Sequence, residues 1–301
     1  MSKLTIFGAS GFIGQHLMNE VGLDRCMPVS RIAQDNKYWV KADLLDFTSV
    51  ESVLKFGMTV INLAYSQQAS ADDNIRMAKN LVQACLRSNV SKLIHCSTAV
   101  VVGNSSSLFL NEETACYPET IYEKTKFAIE RVFLEASDKL KIYILRPTGV
   151  IGPGGQNLKK MLSEICDGSE IINFIRSSIY GKCRLNLVAV KDVVRALLHL
   201  NEQTSLSSGV YICSADDDPD NQYYDIEVLM RTLLNKKSRI KSIKLPRFIL
   251  NLLLCINRSG SGRLADRHYS SKKLYNAGFQ RSVPISNAVR EFILSEFASD
   301  S

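Results

Sequence analysis

Leu4-Thr5-Ile6-Phe7-Gly8-Ala9-Ser10-Gly11-Phe12-Ile13-Gly14 is the stretch on which the fold turns. A short apolar run leads into three evenly spaced glycines, and Gln15-His16-Leu17-Met18-Asn19-Glu20 comes next at helical spacing. That order predicts a strand, a tight turn and a helix. Glycine lets the backbone turn sharply and approach a phosphate closely, while the helix N-terminus offers free N–H groups at its positive end. The spacing G-x-x-G-x-x-G is a modified form of the dinucleotide-binding pattern G-x-G-x-x-G. A ligand-free tight turn is the plain alternative, but the position directly after the first strand favours a pyrophosphate site.

Strand and helix signals then alternate. Met58–Leu63, Lys92–Ser97 and Lys141–Arg146 read as strands, the last stopped by Pro147. Ala71–Arg87 and Ile121–Ala136 read as helices, with Ile75, Ala78, Leu81, Val82 and Cys85 on one stripe. Alternation of this kind predicts an α/β fold, a Rossmann-like doubly wound parallel sheet. Beyond about residue 150 the rhythm breaks at Gly149, Gly152, Pro153, Gly154 and Gly155, which read as an irregular segment. After it come a helix near Leu158–Cys166, a strand near Arg184–Val188, a helix over Val190–Leu200, a strand over Val210–Cys213 and a helix over Asp225–Leu234. Residues 1–150 are thus expected to hold the dinucleotide. Residues 151–301 are expected to form mainly a smaller C-terminal substrate-binding lobe, with some segments returning to the first domain.

The 301 residues are 46% hydrophobic and 22% charged, ordinary values for a globular protein. There is no apolar run long enough for a transmembrane span and no cleavable leader pattern, so a cytoplasmic location is expected. Eight cysteines are scattered without a C-x-x-C pair, which reads as reduced, largely buried thiols. His16, His95, His199 and His268 form no ligand-like cluster, and no metal is expected. The net charge of +7 concentrates around Lys236–Lys244, without the aromatic interleaving of a nucleic-acid site. Its readings are a solvated basic face, an anionic substrate or a membrane surface. The apolar stretch Pro246–Ile256 is too short to span a bilayer and reads as a buried or lid helix, with interfacial membrane contact as the alternative.

The chemistry centres on Tyr122-Glu123-Lys124-Thr125-Lys126. A tyrosine and a lysine four apart share a helix face, and the ammonium is expected to lower the phenol pKa so that it trades a proton near neutrality. Tyr269-Ser270-Ser271-Lys272-Lys273 repeats the spacing and reads as chance. The first copy lies one strand–loop–helix step after Ser97-Thr98, where a hydroxyl could reach the same substrate oxygen. The second strand, Met27–Ser30, ends in Ser30-Arg31 with no acidic residue for a ribose 2′-OH. A hydroxyl and a guanidinium suit a 2′-phosphate, so NADP is favoured and NAD is the alternative; an ordinary surface arginine is the plain reading of Arg31.

With these residues in place the chain resembles the extended short-chain dehydrogenase/reductase family, in its NAD(P)-dependent epimerase/dehydratase branch acting on nucleotide sugars. The likeness covers roughly residues 3–195. It is carried by the glycine loop, Asp43-Leu44, Ile61-Asn62-Leu63-Ala64, Asn74, Ser97-Thr98-Ala99 with Gly103, Tyr122-x-x-x-Lys126, Arg146-Pro147 with Gly152-Pro153, and Val188-x-Val190-x-Asp192. The resemblance implies an NAD(P)-dependent oxidoreductase in which Tyr122 is the acid/base. Lys126 would hold the nicotinamide ribose and tune Tyr122, and Thr98 would hydrogen-bond the reacting oxygen. Gly8, Ser10, Gly11, Phe12, Ile13 and Gly14 would surround the pyrophosphate. Asp43 and Leu44 would lie by the adenine, and Leu63, Ala64 and Pro147 would contact the cofactor. Thr98, Tyr122 and Arg263 would face a nucleotide-sugar substrate, with Arg263 at its diphosphate. A homodimer through the helices near Ala71–Arg87 and Ile121–Ala136 is a further expectation, and no nucleic-acid partner is expected.

Departures from the family pattern narrow the reaction. Phe7 stands where a threonine is common, Val102 precedes Gly103 in place of a tyrosine, and Gly149 replaces an asparagine. Ala99-Val100 stand where 4,6-dehydratases carry an Asp-Glu pair, which argues against elimination of water. Asp72, Asp73, Glu112 and Glu113 read as solvated faces or helix starts. Reduction of a 4-keto-6-deoxy nucleotide sugar is favoured over 4-epimerisation with bound NAD. A hydroxysteroid-type dehydrogenase and a non-catalytic NADPH-binding protein are the remaining readings.

Overall fold

In the computed structural model, which describes residues 4–34, 36–236 and 266–298, seven parallel strands form the central sheet. They are β1 (Leu4–Phe7), β2 (Cys26–Ser30), β3 (Val40–Lys41), β4 (Thr59–Asn62), β5 (Lys92–Cys96), β7 (Lys141–Pro147) and β10 (Gly209–Cys213). Outside that sheet, β6 (Phe109–Leu110) pairs with β11 (His268–Tyr269), and β8 (Gly149–Ile151) pairs with β9 (Leu187–Ala189). The helices are α1 (Phe12–Val21), α2 (Phe47–Val53), α3 (Ala71–Arg87), α4 (Ile121–Leu134), α5 (Lys159–Asp167), α6 (Glu170–Tyr180), α7 (Val190–Glu202), α8 (Tyr223–Leu233), α9 (Lys272–Asn276) and α10 (Ile285–Ala298). A short 3-10 turn covers Ala99–Val102.

The sheet order is β10-β7-β5-β4-β1-β2-β3, so the chain winds one way from β1 to β3 and the other way from β4 to β10. The crevice lies where the winding reverses, outside the carboxyl ends of β1 and β4. Side chains alternate across each strand, and the two faces bury separate cores. Ile6, Ile94 and Leu145 pack under α1 and α7 with Leu17, Val193 and Leu197. Phe7, Val60, Leu93 and Ile144 pack with Leu81 of α3 and Phe133 of α4. Such strands, buried on both faces, explain the continuous apolar runs in the sequence.

A third cluster, with Leu162, Ile165, Leu187, Ile226, Met230, Val289 and Phe292, joins α5, α8, β9 and α10. Asp192, fully buried at the start of α7, accepts from the Ser282 and Val283 N–H groups at 3.0 and 3.2 Å. It thereby fastens the segment leading into α10. Two expectations need correction. Gly149–Ile151 is not irregular but strand β8, because its edge finds the β9 backbone despite the glycines around it. Glu112 is not a solvated carboxylate: its Oε1 accepts from the Ile212 N–H at 2.7 Å and so satisfies a donor of the outermost strand β10.

Candidate active site

Gly8 takes φ +77°, and a Cβ there would lie 2.6 Å from the Ala64 nitrogen. Its bareness lets the loop after β1 lie against Leu63 and Ala64 at the end of β4. Gly14 is equally constrained, since a Cβ would stand 2.5 Å from the Ala9 and Gly8 carbonyl oxygens. Gly11 differs. A Cβ there meets only the Gly8 carbonyl oxygen, at 3.3 Å, so little in the protein itself demands a glycine. Gly11 is also the N-cap of α1 and, as a glycine, brings no side chain to cap it. Uncapped first-turn N–H groups beside a bare backbone fit a pyrophosphate that comes in close. Ser10 and Gly11 are exposed, whereas Phe12 and Ile13 are partly buried. Phe12 stacks edge-on with His16 at 5.3 Å, and His16 Nε2 lies 2.9 Å from the Pro153 oxygen. The Gly152–Gly155 turn is thus fixed over the first turn of α1.

The other expected cofactor residues lie along the same carboxyl edge. Arg31 is exposed at the end of β2, where the Ser30 hydroxyl accepts from the Ile32 N–H. The Asp43 carboxylate accepts from the Leu45 N–H at 2.9 Å, and Asn80 of α3 donates to the Leu44 oxygen at 2.8 Å. Buried Asn74 grips the loop after β4 through both the Ser66 N–H and the Ser66 oxygen. Pro147 closes β7. Arg263 and the Pro246–Ile256 stretch lie outside the described residues.

Helix α4 begins with a capping box. The Thr120 hydroxyl accepts from the Glu123 N–H, and the Glu123 carboxylate accepts from the Thr120 and Glu119 N–H groups. This sets Tyr122 in the first turn and Lys126 one turn on. Tyr122 is 40% exposed, while Lys126 is buried and donates to the Cys96 oxygen at 3.0 Å. The expected influence of the ammonium on the phenol does not hold. Burial, then the Cys96 thiol and the Tyr65 phenol, push Tyr122 up to about 12 against a lowering hydrogen bond with Thr98. The ammonium instead sits 5.3 Å from the centre of the Tyr65 ring, and burial lowers its own pKa. Tyr65 also stacks edge-on with Tyr122 at 5.2 Å. Sequence reasoning does not single out Tyr65, although it directly follows the Leu63-Ala64 strand end.

A cavity of about 260 Å³ opens beside the 3-10 turn that follows Thr98. Ala99, Val100 and Gly103 form one wall, and Asn104, Glu119, Glu123, Asn186 and Arg267 bring polar groups to it. Arg267 donates to the Gly103 and Ser105 oxygens. Thr148 lines it as well, and its buried hydroxyl has no protein partner among the described residues. Tyr269, half of the duplicated spacing, lines this cavity, but its Lys273 turns away to the Val210 oxygen. Gly103 takes φ +61°, and a Cβ there would overlap the Tyr117 oxygen, so the turn needs glycine. Sequence reasoning names Ala99, Val100, Gly103, Gly149 and Tyr269 but misses the polar lining residues Asn104, Glu119, Thr148, Asn186 and Arg267. The one available signal is adjacency: Thr148 follows Pro147, and Glu123 follows Tyr122.

The profile of the NAD dependent epimerase/dehydratase family matches residues 4–213. The chain belongs to this family. Human sterol-4-alpha-carboxylate 3-dehydrogenase, decarboxylating, is 28% identical over 223 residues, covering 68% of this chain. The match takes in 59% of that relative's length. Among solved structures, dTDP-glucose 4,6-dehydratase from Bacillus anthracis matches with a TM-score of 0.77 at 16% identity over 100% of this chain and 98% of its own. RMD from Pseudomonas aeruginosa complexed with NADPH matches with a TM-score of 0.73 at 19% identity, over the whole of both chains. At such identities the structural matches establish the fold alone.

Proposed function

We propose that this epimerase/dehydratase-family chain is an NADPH-dependent reductase of a 4-keto-6-deoxy nucleotide sugar. The observation that carries this reading is a protonated phenol, Tyr122, whose chain neighbour Glu123 lines a cavity with polar and charged walls. A phenol held near 12 keeps its proton across the neutral range, which suits a donor to an oxygen that is gaining charge. Asn104, Glu119, Glu123, Asn186, Arg267 and the Thr148 hydroxyl, unpaired among the described residues, match a polyhydroxylated ligand better than a steroid. That polarity weighs against the substrate named for the sterol relatives.

A nicotinamide dinucleotide, when bound, supplies the hydride. The chain's own parts do the rest. The first turn of α1 binds the pyrophosphate, and Gly8, Ser10, Gly11, Phe12, Ile13 and Gly14 shape that cradle. Asp43 and Leu44 border the adenine, Leu63, Ala64 and Pro147 line the cofactor's path, and Arg31 takes the 2′-phosphate. Lys126 holds the ribose, and Thr98 and Tyr122 hold the substrate oxygen, to which Tyr122 donates its proton. Residues from about 151 onward supply much of the substrate side, Arg263 among them. Ala99-Val100, standing in place of an acidic pair, argue against removal of water.

The second reading is 4-epimerisation, in which the coenzyme is regenerated. Purified chain mixed with NADPH or NADH and a panel of UDP-, GDP- and dTDP-4-keto-6-deoxy sugars separates the two. Stoichiometric loss of reduced-nicotinamide absorbance is expected, and faster with NADPH. Isomer interconversion without net loss would replace reduction with epimerisation.

A further inference from the structure

Tyr65 lies just past the end of β4, and its chain neighbours are fastened on both sides. The Ala64 N–H donates to Asn62 Oδ1 at 3.1 Å. On the other side, buried Asn74 of α3 accepts from the Ser66 N–H at 3.0 Å and donates to the Ser66 oxygen at 2.9 Å. The half-buried Tyr65 ring packs against the core that α3 and α4 cover. A side chain carried on so fixed a stretch has little freedom to swing.

From this anchor the ring meets both members of the Tyr122–Lys126 pair. It stacks edge-on with the Tyr122 ring, centroids 5.2 Å apart and planes at 89°. Lys126 Nζ stands 5.3 Å from the Tyr65 ring centre. Thr125, the chain neighbour of Lys126, hydrogen-bonds the Tyr65 phenol. Lys126 is 4% exposed, so water solvates its charge poorly, and the bond to the Cys96 oxygen occupies one of the three N–H donors an ammonium has. An aromatic face within about 6 Å gives a desolvated ammonium a second attraction. Edge-to-face ring pairs likewise hold a preferred geometry. One side chain thus fixes both the phenol and the cation, and it lies outside the Tyr-x-x-x-Lys pattern.

We propose that Tyr65 is a positioning residue for the Tyr122–Lys126 pair: its ring holds the Tyr122 phenol edge-on and, together with the Cys96 carbonyl, seats the Lys126 ammonium. This role rests on the reading of Tyr122 as the proton donor. Two substitutions separate the ring from its hydroxyl. Tyr65→Leu keeps the position apolar but removes the π face, so the ammonium loses part of its seat and the phenol loses its edge contact. Tyr65→Phe keeps the ring and gives up only the hydroxyl that Thr125 meets.

The test is amine labelling of the full chain with formaldehyde and cyanoborohydride, read at each lysine by peptide mass spectrometry. Lys92 is the internal control, because it is also buried but is held elsewhere, by the Leu200, Asn201 and Gln203 oxygens. In Tyr65→Leu, Lys126 is expected to label at least about tenfold faster than in the parent while Lys92 keeps its rate. In Tyr65→Phe both lysines are expected to keep the parent's rates. On the ketone that the panel identifies, kcat of Tyr65→Leu is expected to fall at least about tenfold with KM within about threefold, and Tyr65→Phe to restore the parent's kcat. Parent-like labelling of Lys126 or a parent-like kcat in Tyr65→Leu would overturn the proposal. So would equal acceleration at Lys92, the mark of general loosening, or a Tyr65→Phe variant that behaves like Tyr65→Leu. Labelling needs no turnover, so its failure strikes the seat alone, whereas Tyr122→Phe as active as the parent strikes the reductase reading.

Discussion

At the scale of single residues, the three loop glycines serve different ends, and substitution separates them. Gly14→Ala forces a methyl into two carbonyl oxygens 2.5 Å away, so it is expected to cost more than about 2 kcal/mol of stability in urea unfolding. Gly11→Ala meets only one oxygen at 3.3 Å. Its melting temperature is expected to hold while dinucleotide affinity drops about tenfold or more in a fluorescence titration. Equal losses of stability in the two variants would remove the pyrophosphate reading of Gly11. The phenol gives a pH prediction. An acid stays protonated below its pKa, and Tyr122 is pushed up to about 12. Ketone reduction is therefore expected to be flat from about pH 6 to about pH 9, whereas the reverse oxidation climbs with pH over that range because it needs the phenolate. A reverse rate that levels off near neutrality would mean the phenol is acidified after all. The Tyr-x-x-x-Lys spacing is legible in the sequence, but its electrostatics are not. Lys126 spends its charge on the Cys96 carbonyl and the Tyr65 ring, partners that only the fold brings near.

Among the elements, α4 is held to the sheet by a buried ion pair. Arg146 of β7 donates through Nε and Nη2 to Glu130, with a closest approach of 2.6 Å and both side chains almost wholly buried. Glu130→Gln leaves the guanidinium buried without its countercharge and is expected to cost about 3–5 kcal/mol in urea unfolding. A change below about 1 kcal/mol would mean that water reaches the pair. Strands and helices of the first half can be read directly, because burial on both faces makes their apolar runs continuous. Of the later elements, α5, α7, β10 and α8 are read as well, but three others are not. Strand β8 hides among glycines because its pairing with β9 is a tertiary fact. Helix α6 has its polar residues inside, so a reading that buries every apolar stripe has no place for it. Helix α10 also escapes the sequence reading, although Ile285, Val289 and Phe292 form a regular buried stripe.

Across the whole molecule, the glycine loop, Tyr122 and most of the polar cavity's wall come from segments far apart in sequence. The parallel order of β1, β4, β5 and β7 brings their carboxyl ends to one edge. Sheet topology thus brings scattered motifs to one edge, and that much is legible because the glycine loop, Leu63-Ala64 and Ser97-Thr98 each directly follow a strand. The cavity walls are not, since Asn186 and Arg267 reach the site only through the packing of the later elements. The central claim is that Tyr122 donates the proton beside a dinucleotide seated on α1. Its most direct test compares Tyr122→Phe with the parent, measuring NADPH binding and single-turnover reduction of the 4-keto sugar that the panel identifies. The variant is expected to bind NADPH within about twofold of the parent and to reduce the ketone at least about a hundredfold more slowly. Reduction at the parent's rate by the phenylalanine variant would contradict the account.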